Sequence, residues 1–291
     1  MAGQRIWHEP RLVGALADGA TVVTASERLA REVQLAYAQT RSHAGDLVWE
    51  QPRVLSWQGF LAEMYRACQD AALLADAKPG LQTLLSPGQS ELVWENVIRG
   101  SDAADTLLQP AAAAKAAQDA WLLCHAYRLK ISDLADSGAP DTEQFLNWAA
   151  DYQQRCHNAG WLDAARLPGL LAEWSAARHI ALPSALLFTG FDEWTPQQKY
   201  LLQCLRDAGC EVDVPSMDGD PLPGNARRLS CSDSNAELEA AARWAGALLM
   251  QNPNSRIAIV VRDLASCRER LARSLDQVLC QSACLGDTET R

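Results

Sequence analysis

Short apolar runs alternate with helical periodicity in the first sixty residues. The run GATVVT at 19–24 predicts a buried strand after a turn, and Ser26 predicts the N-cap of a helix that reaches about Thr40. Residues 53–55 predict a second short extended segment, and Ser56 predicts the cap of the next helix. These elements predict the first part of a parallel-sheet domain.

From about residue 60 to 180 the chain has a helical period or a helix-favouring composition throughout. Glycine and proline breakers separate the segments, and no strand pattern interrupts them. Ser86 with Gln89, and Asp141 with Gln144, stand where helix starts place such residues. The predicted helices are 57–76, 86–99, 106–134, 141–159 and 163–178. The sequence therefore predicts a long all-helical insertion.

The pattern changes to strand, helix and strand from residue 184. Residues 184–190 form a continuous apolar run of strand length, which suits a central strand buried on both faces. Thr195-Pro196 predicts the start of a helix and residues 210–214 predict the next strand, with a right-handed parallel crossover between the two strands. This segment predicts the completion of the sheet that the first sixty residues begin.

A second unit of the same kind follows a turn-rich linker at 216–226. Its predicted elements are an extended segment at 227–231, a helix at 234–250, a strand at 256–262 and a helix at 263–279. The tail at 280–291 shows no firm element. The sequence therefore predicts an α/β fold with the start of a second α/β domain.

The composition is that of a globular chain, with 48% hydrophobic and 21% charged residues among 291. No apolar run has the ~18 residues of a membrane span, and Glu9 and Arg11 interrupt the stretch where a signal peptide would be apolar. We therefore expect a cytoplasmic chain with no membrane partner, whose nine cysteines are free thiols. A net charge of −10 argues against DNA binding by overall charge, although it is compatible with a local basic groove.

Two acids follow the apolar run of the central predicted strand. Asp192 and Glu193 stand at a strand carboxyl end, where nucleotide-hydrolysing sheets place one acid on Mg²⁺ and another on the attacking water. The alternative is that Asp192 caps the helix that starts at Thr195.

The phosphate-binding half of such a site is missing from the sequence. No G-x-x-x-x-G-K-[ST] loop occurs, and none of the four lysines has the required neighbours. Without that cradle we expect no ATPase activity.

Four other residues are candidate contacts to DNA. Arg28 and Arg31 follow the first strand, with salt bridges to neighbouring glutamates as the alternative for Arg31. An exposed Trp57 or Trp194 is a candidate for base stacking, with core packing as the alternative.

Arg262 ends the last predicted strand and is a candidate to face phosphate or DNA. Its alternative is an ion pair with Asp263 or Glu269. Cys156-His157 and the pair Cys280 and Cys284 lack zinc-site spacing. The sequence offers no catalytic set and no metal site.

Four stretches, in order, resemble the amino-terminal part of AddB-type helicase–nuclease subunits and of AddB-like DNA repair proteins related to RecB-family exonucleases. They cover most of the chain. They are TVVTASERLAREVQLAY at 21–37, like helicase motif Ia; PRVLSWQGFLAEMY at 52–65, like the entry to the helical insertion; residues 160–214, like the region of motif II; and residues 235–271, like the opening of the second RecA-like domain with its motif IV.

The resemblance implies a P-loop-NTPase-like, RecA-like fold. A RecA-like domain would comprise 1–60 and 161–215, with a helical insertion at 61–160 and the truncated start of a second RecA-like domain at 216–291. Asp192 and Glu193 would be a degenerate motif II, and Arg262 would belong to motif IV. The chain would continue past Arg291 to a PD-(D/E)XK nuclease that cleaves DNA with Mg²⁺.

The predicted function is a non-catalytic, helicase-like module that binds and guides DNA in double-strand break repair. Its expected ligands are single-stranded DNA or duplex ends, bound weakly by this chain alone, and a helicase subunit is an expected partner. No cofactor is expected for residues 1–291. The alternatives are a protein-interaction scaffold, favoured by the acidic helical region, and a nucleotide-binding switch with an atypical phosphate loop.

Overall fold

A computed structural model describes residues 10–74, 82–104, 107–177, 182–214 and 227–279, and divides the chain into two units, Met1–Gly219 and Asp220–Arg291. The strands of the first unit are β1 (Thr21–Thr24), β2 (Val54–Ser56), β3 (Thr83–Leu84), β4 (Trp161–Leu162), β5 (Ala185–Thr189) and β6 (Glu211–Asp213). Its helices are α1 (Pro10–Ala17), α2 (Glu27–His43), α3 (Trp57–Leu74), α4 (Pro87–Arg99), α5 (Pro110–Ala126), a 3₁₀ helix (Ile131–Ser137), α6 (Pro140–Ala159), α7 (Leu167–Ala176) and α8 (Pro196–Asp207). The second unit holds α9 (Ser234–Gln251) and α10 (Leu264–Leu279).

The main sheet has four parallel strands in the order β2-β1-β5-β6. Val22 pairs with Val54 on one side and with Leu187 on the other, so β1 is central and all four of its residues are buried. The predicted α/β fold with a parallel sheet is confirmed.

Alternating side chains of the sheet enter two separate cores, because successive residues of a strand face opposite sides. Val22 and Leu187 pack with α1 and α2. Val23, Leu186 and Phe188 pack with α3, α7 and α8 on the other face. Helices therefore cover both faces of the sheet, and α1 is a helix that the sequence pattern did not predict.

The helical region between β2 and β5 has its own core, formed by α4, α5 and α6. Trp94 is fully buried and stacks on Tyr152, with ring centroids 4.1 Å apart and an interplanar angle of 9°. The Tyr152 hydroxyl lies 2.8 Å from the Ser90 hydroxyl, and burial raises the pKa of Tyr152. This pair provides a hydrogen bond inside an otherwise apolar core.

The predicted helix at 106–134 is wrong in its extent. It divides into α5 and the 3₁₀ helix, because Arg128 takes a left-handed backbone conformation (φ 55°) and the Leu129 amide donates back to the Cys124 carbonyl at 2.8 Å. The statement that no strand interrupts the region is also wrong, since β3 and β4 form a two-residue parallel pair.

The second unit bears on the predictions for 227–231 and 256–262. No described residue pairs with either segment in a ladder, so the predicted strand at 256–262 is not found among the described residues. Ile259 and Val261 still pack on α9 and α10, while Val260 between them is 94% exposed. The predicted linker at 216–226 and the tail at 280–291 lie outside the described residues.

Candidate functional site

The strand order places a topological switch point, referred to below as the crevice, at the carboxyl edge of the sheet. The chain leaves β1 toward β2 on one side, and leaves β5 toward β6 on the other, so the turns after β1 and β5 diverge. In open parallel sheets this switch point is where ligands bind. The candidate site therefore lies between the first turn of α2 and the β5–α8 turn.

Leu29 of α2 fills the inner part of this crevice. Gly190, the first residue after β5, has a φ of 77°, and a Cβ placed on it would lie 2.2 Å from Leu29 Cδ2. The Ala25 amide donates to the Thr189 carbonyl at 3.2 Å and ties the two turns together. The β1–α2 turn consists only of Ala25 and Ser26, and Ser26 Oγ accepts from the Leu29 amide at 3.2 Å. Such a turn lacks the loop of glycine amides that holds phosphates.

Asp192 and Glu193 are exposed and have no ion-pair or hydrogen-bond partner among the described residues. The alternative that Asp192 caps α8 is wrong. The N-cap is Thr195, whose Oγ1 accepts from the Gln198 amide at 3.3 Å while Gln198 Oε1 accepts from the Thr195 amide at 2.9 Å. In the part of the chain that is described, no group of three His, Cys, Asp or Glu side chains has an arrangement that could hold a metal ion.

The arginine candidates are exposed. Arg28 and Arg31 make no ion pair within the described ranges, so the alternative of salt bridges along α2 is not found. Arg28 adjoins Leu29 in sequence, which places it in the first turn of α2 beside the crevice.

Arg262 belongs to the second unit, in which no other predicted site residue lies. It pairs with neither Asp263 nor Glu269. Asp263 instead accepts from the Ser266 amide at 3.3 Å, and hydrogen bonds from Ser266 lower the pKa of the Asp263 carboxyl.

An aromatic cluster joins the core to the β5–α8 turn. Trp194 stacks on Phe191 with ring centroids 4.3 Å apart at 19°, and both residues are half-buried. Trp57 packs against Phe188 and Phe191 at 6.3 and 6.2 Å and is only 8% exposed. Trp57 is therefore a core residue rather than an exposed stacking surface, whereas Phe191 is a half-buried aromatic at the edge of the core that the sequence analysis missed.

A buried polar centre, also missed by the sequence analysis, connects α5 to the turn before α7. Asp163 is 2% exposed and accepts from Arg166 Nε at 2.8 Å, from the Ala165 amide at 2.9 Å and from Trp121 Nε1 at 3.4 Å. The His125 ring lies 4.4 Å from the Trp121 ring. Burial lowers the pKa of His125, although the Asp163 charge opposes this shift. The sequence feature that could have indicated this centre is the Asp-x-x-Arg spacing of Asp163 and Arg166, directly before α7.

A groove of about 600 Å³ adjoins the carboxyl edge, between the sheet layer and the helical region. Its lining comes from α3, α5 and α7 and from the first turns of α4 and α8. None of the nineteen described residues that line it is charged. Leu122 and Leu123 line it and are 39% and 59% exposed, which marks an apolar surface in contact with water.

Comparison with family models finds no family that matches the chain, and a search of curated proteins finds no match. Among the described residues, no helix combines the length and the apolar character needed to cross a membrane.

Proposed function

We propose that this chain is a helicase-like module that binds single-stranded DNA and guides it without hydrolysing nucleotide. The observation that carries the proposal is the half-buried Phe191–Trp194 ring pair on the turn after β5. Aromatic faces stack on bases of any sequence, at a switch point where ligands enter parallel sheets. Arg28 and Arg31, both exposed and without an ion-pair partner in the described segments, would contact the phosphates.

A RecA-like identity of the first unit is part of the proposal. It is supported by the four parallel strands, by the crevice at their carboxyl ends and by the order of the four sequence stretches. The two-residue β1–α2 turn supports the absence of nucleotide hydrolysis, because it offers no run of free amides to a triphosphate. The proposal assigns no bond cleavage to the described residues.

The experiment is fluorescence anisotropy of a fluorescein-labelled fifteen-nucleotide oligo-dT across a salt series. Two phosphate contacts predict that log K falls with log[salt] at a slope of about −1.4. Arg28→Ala and Arg31→Ala are each expected to reduce that slope by about 0.7. Arg66→Ala is the matched control, because Arg66 is an exposed arginine of α3, outside the site.

The two acids on the β5–α8 turn are expected to weaken DNA binding, because they repel the phosphates. Asp192 and Glu193 place two carboxylates beside the ring pair, so the wild-type chain should bind weakly. The double variant Asp192→Asn with Glu193→Gln is expected to bind more tightly at every salt concentration. A slope that neither arginine variant changes contradicts the proposal. A rise in Tm with ATP and Mg²⁺ contradicts it in another way and favours the nucleotide switch.

A further inference from the structure

The uncharged groove has a composition that distinguishes it from the rest of the surface. Charged residues make up 21% of the chain, so about four of nineteen lining residues would be charged if the lining were an average sample. Depletion of charge is the compositional mark of the buried centre of a protein interface. The lining therefore resembles the centre of a protein interface, from which water is excluded once a partner binds.

Two glutamines give the groove fixed hydrogen-bond donors. Gln89 Oε1 accepts from the Ser86 amide at 2.8 Å, and Gln198 Oε1 accepts from the Thr195 amide at 2.9 Å. Each is the N3 residue of a capping box, so its side chain is held at the start of α4 or α8. Neither Nε2 group has a partner among the described residues, although both glutamines line the groove. The groove thus holds two positioned amide donors.

A third glutamine supplies the complementary acceptor. Gln197 Nε2 donates to the Ala165 carbonyl at 2.8 Å, and its Oε1 has no partner within the described ranges. Two donors and one acceptor on an apolar floor match the carbonyl and amide groups of a peptide backbone.

We propose that this groove binds an uncharged peptide segment of a partner protein that carries apolar side chains. Apolar side chains of the segment would cover Leu122 and Leu123, and its carbonyls would accept from the Nε2 groups of Gln89 and Gln198. The function is distinct from DNA binding, since no described basic residue lines the groove.

A nucleic-acid base fits the groove less well than a peptide does. Among the described lining residues, Trp57 is the one aromatic side chain, and it is 8% exposed and packed against phenylalanine rings. A base would find no free ring face for stacking there, and its phosphate would find no cation among those residues.

The probe for the test is N-acetyl-leucyl-leucine amide, which is uncharged and carries carbonyls and apolar side chains. It is titrated onto the whole chain, with the methyl signals of leucine and the side-chain amide signals of glutamine followed by NMR. Saturable shifts of Leu122, Leu123, Gln89 and Gln198 are expected. N-acetyl-glutamyl-glutamate amide, at the same concentrations, is expected to leave these signals in place.

Two substitutions test the donors without loss of the helix caps. In Gln89→Glu and Gln198→Glu the side chain still accepts from the cap amide, because glutamate also completes a capping box. Each replaces the free Nε2 donor by a second carboxylate oxygen. We expect roughly tenfold weaker binding of the dipeptide for each variant, with Tm unchanged or raised.

Leu123→Arg tests the apolar floor, and Leu92→Arg is its matched control. Leu92 is 60% exposed, lies on α4 and does not line the groove. We expect Leu123→Arg to abolish the saturable shifts and Leu92→Arg to preserve them.

The proposal is overturned if the dipeptide does not saturate the shifts, or if both glutamate variants bind it as wild type does. It is also overturned if thymidine, an uncharged nucleoside, produces the same shifts and the dipeptide does not. Oligo-dT binding by the Leu123→Arg variant separates the two proposals, because the arginines that would contact phosphate are untouched.

Discussion

Gly190→Ala tests the close packing of α2 on the β5–α8 turn. The left-handed φ of 77° costs an alanine about 1–2 kcal/mol. The new Cβ would lie 2.2 Å from Leu29 Cδ2, the end of a flexible side chain, so Leu29 is expected to rotate away at a cost of about 0.5–1.5 kcal/mol. The total is a loss of about 1.5–3.5 kcal/mol in the free energy of unfolding.

Two other glycines separate the backbone cost of the substitution from the cost of moving Leu29. Gly209 has a φ of 99° with nothing within 4 Å of its Cβ position, so Gly209→Ala should lose only the backbone part, about 1–2 kcal/mol. Gly88 lies in the first turn of α4 with open space around it and no positive φ, so Gly88→Ala should stabilise by about 0.4–1 kcal/mol.

The assay is urea unfolding followed by tryptophan fluorescence, with a double-mutant cycle. In a Leu29→Ala background, the cost of Gly190→Ala should fall to that of Gly209→Ala. An equal cost of Gly190→Ala in both backgrounds would show that Leu29 does not occupy the crevice. A neutral Gly190→Ala would refute the backbone argument itself.

Two further predictions concern the buried polar centre. Asp163→Asn should destabilise the chain by about 1.5–3 kcal/mol in urea unfolding, because the half-buried Arg166 loses its charged acceptor inside a buried hydrogen-bond network. Asp151→Asn, at an exposed ion pair, should cost less than about 1 kcal/mol. His125 has a folded pKa below its ordinary value of 6.5, so the unfolded chain binds the proton first and stability falls as the pH drops through 6.5. His125→Gln should remove this part of the pH dependence of Tm between pH 7.5 and 5.5. If the variant keeps the same pH dependence of Tm as wild type, other titrating groups cause it and the prediction is wrong.

The sheet was largely predictable, because its signals are local. The run TVVT and the run ALLFT are continuous and apolar, and each precedes a capped helix. Residues 256–262 show the limit of that reasoning. They have the same apolar pattern, but a strand also requires a neighbour, and no described residue supplies one.

The candidate site was less predictable than the fold, because exposure depends on packing between distant segments. The sequence does not distinguish Trp57 from Trp194, yet Trp57 is buried against Phe188 and Phe191, whereas Trp194 is only partly buried. The groove glutamines belong to predicted helix starts, but they gain a shared role only because the fold brings the starts of α4 and α8 to one groove. The patterns of charge and of helix capping in the sequence do not show which distant helix starts will line the same groove.

The central position of β1 has a consequence for synthesis of the chain. Residues 21–24 emerge early, but their partners in β5, residues 186–189, follow only after the whole helical region. At usual translation rates this delay is roughly ten to thirty seconds. The helical region has its own core and can fold during that interval, whereas Val22 and Val23 cannot be covered by β5 until it is made. Nascent chains paused before residue 186 should therefore be the ones that chaperones hold.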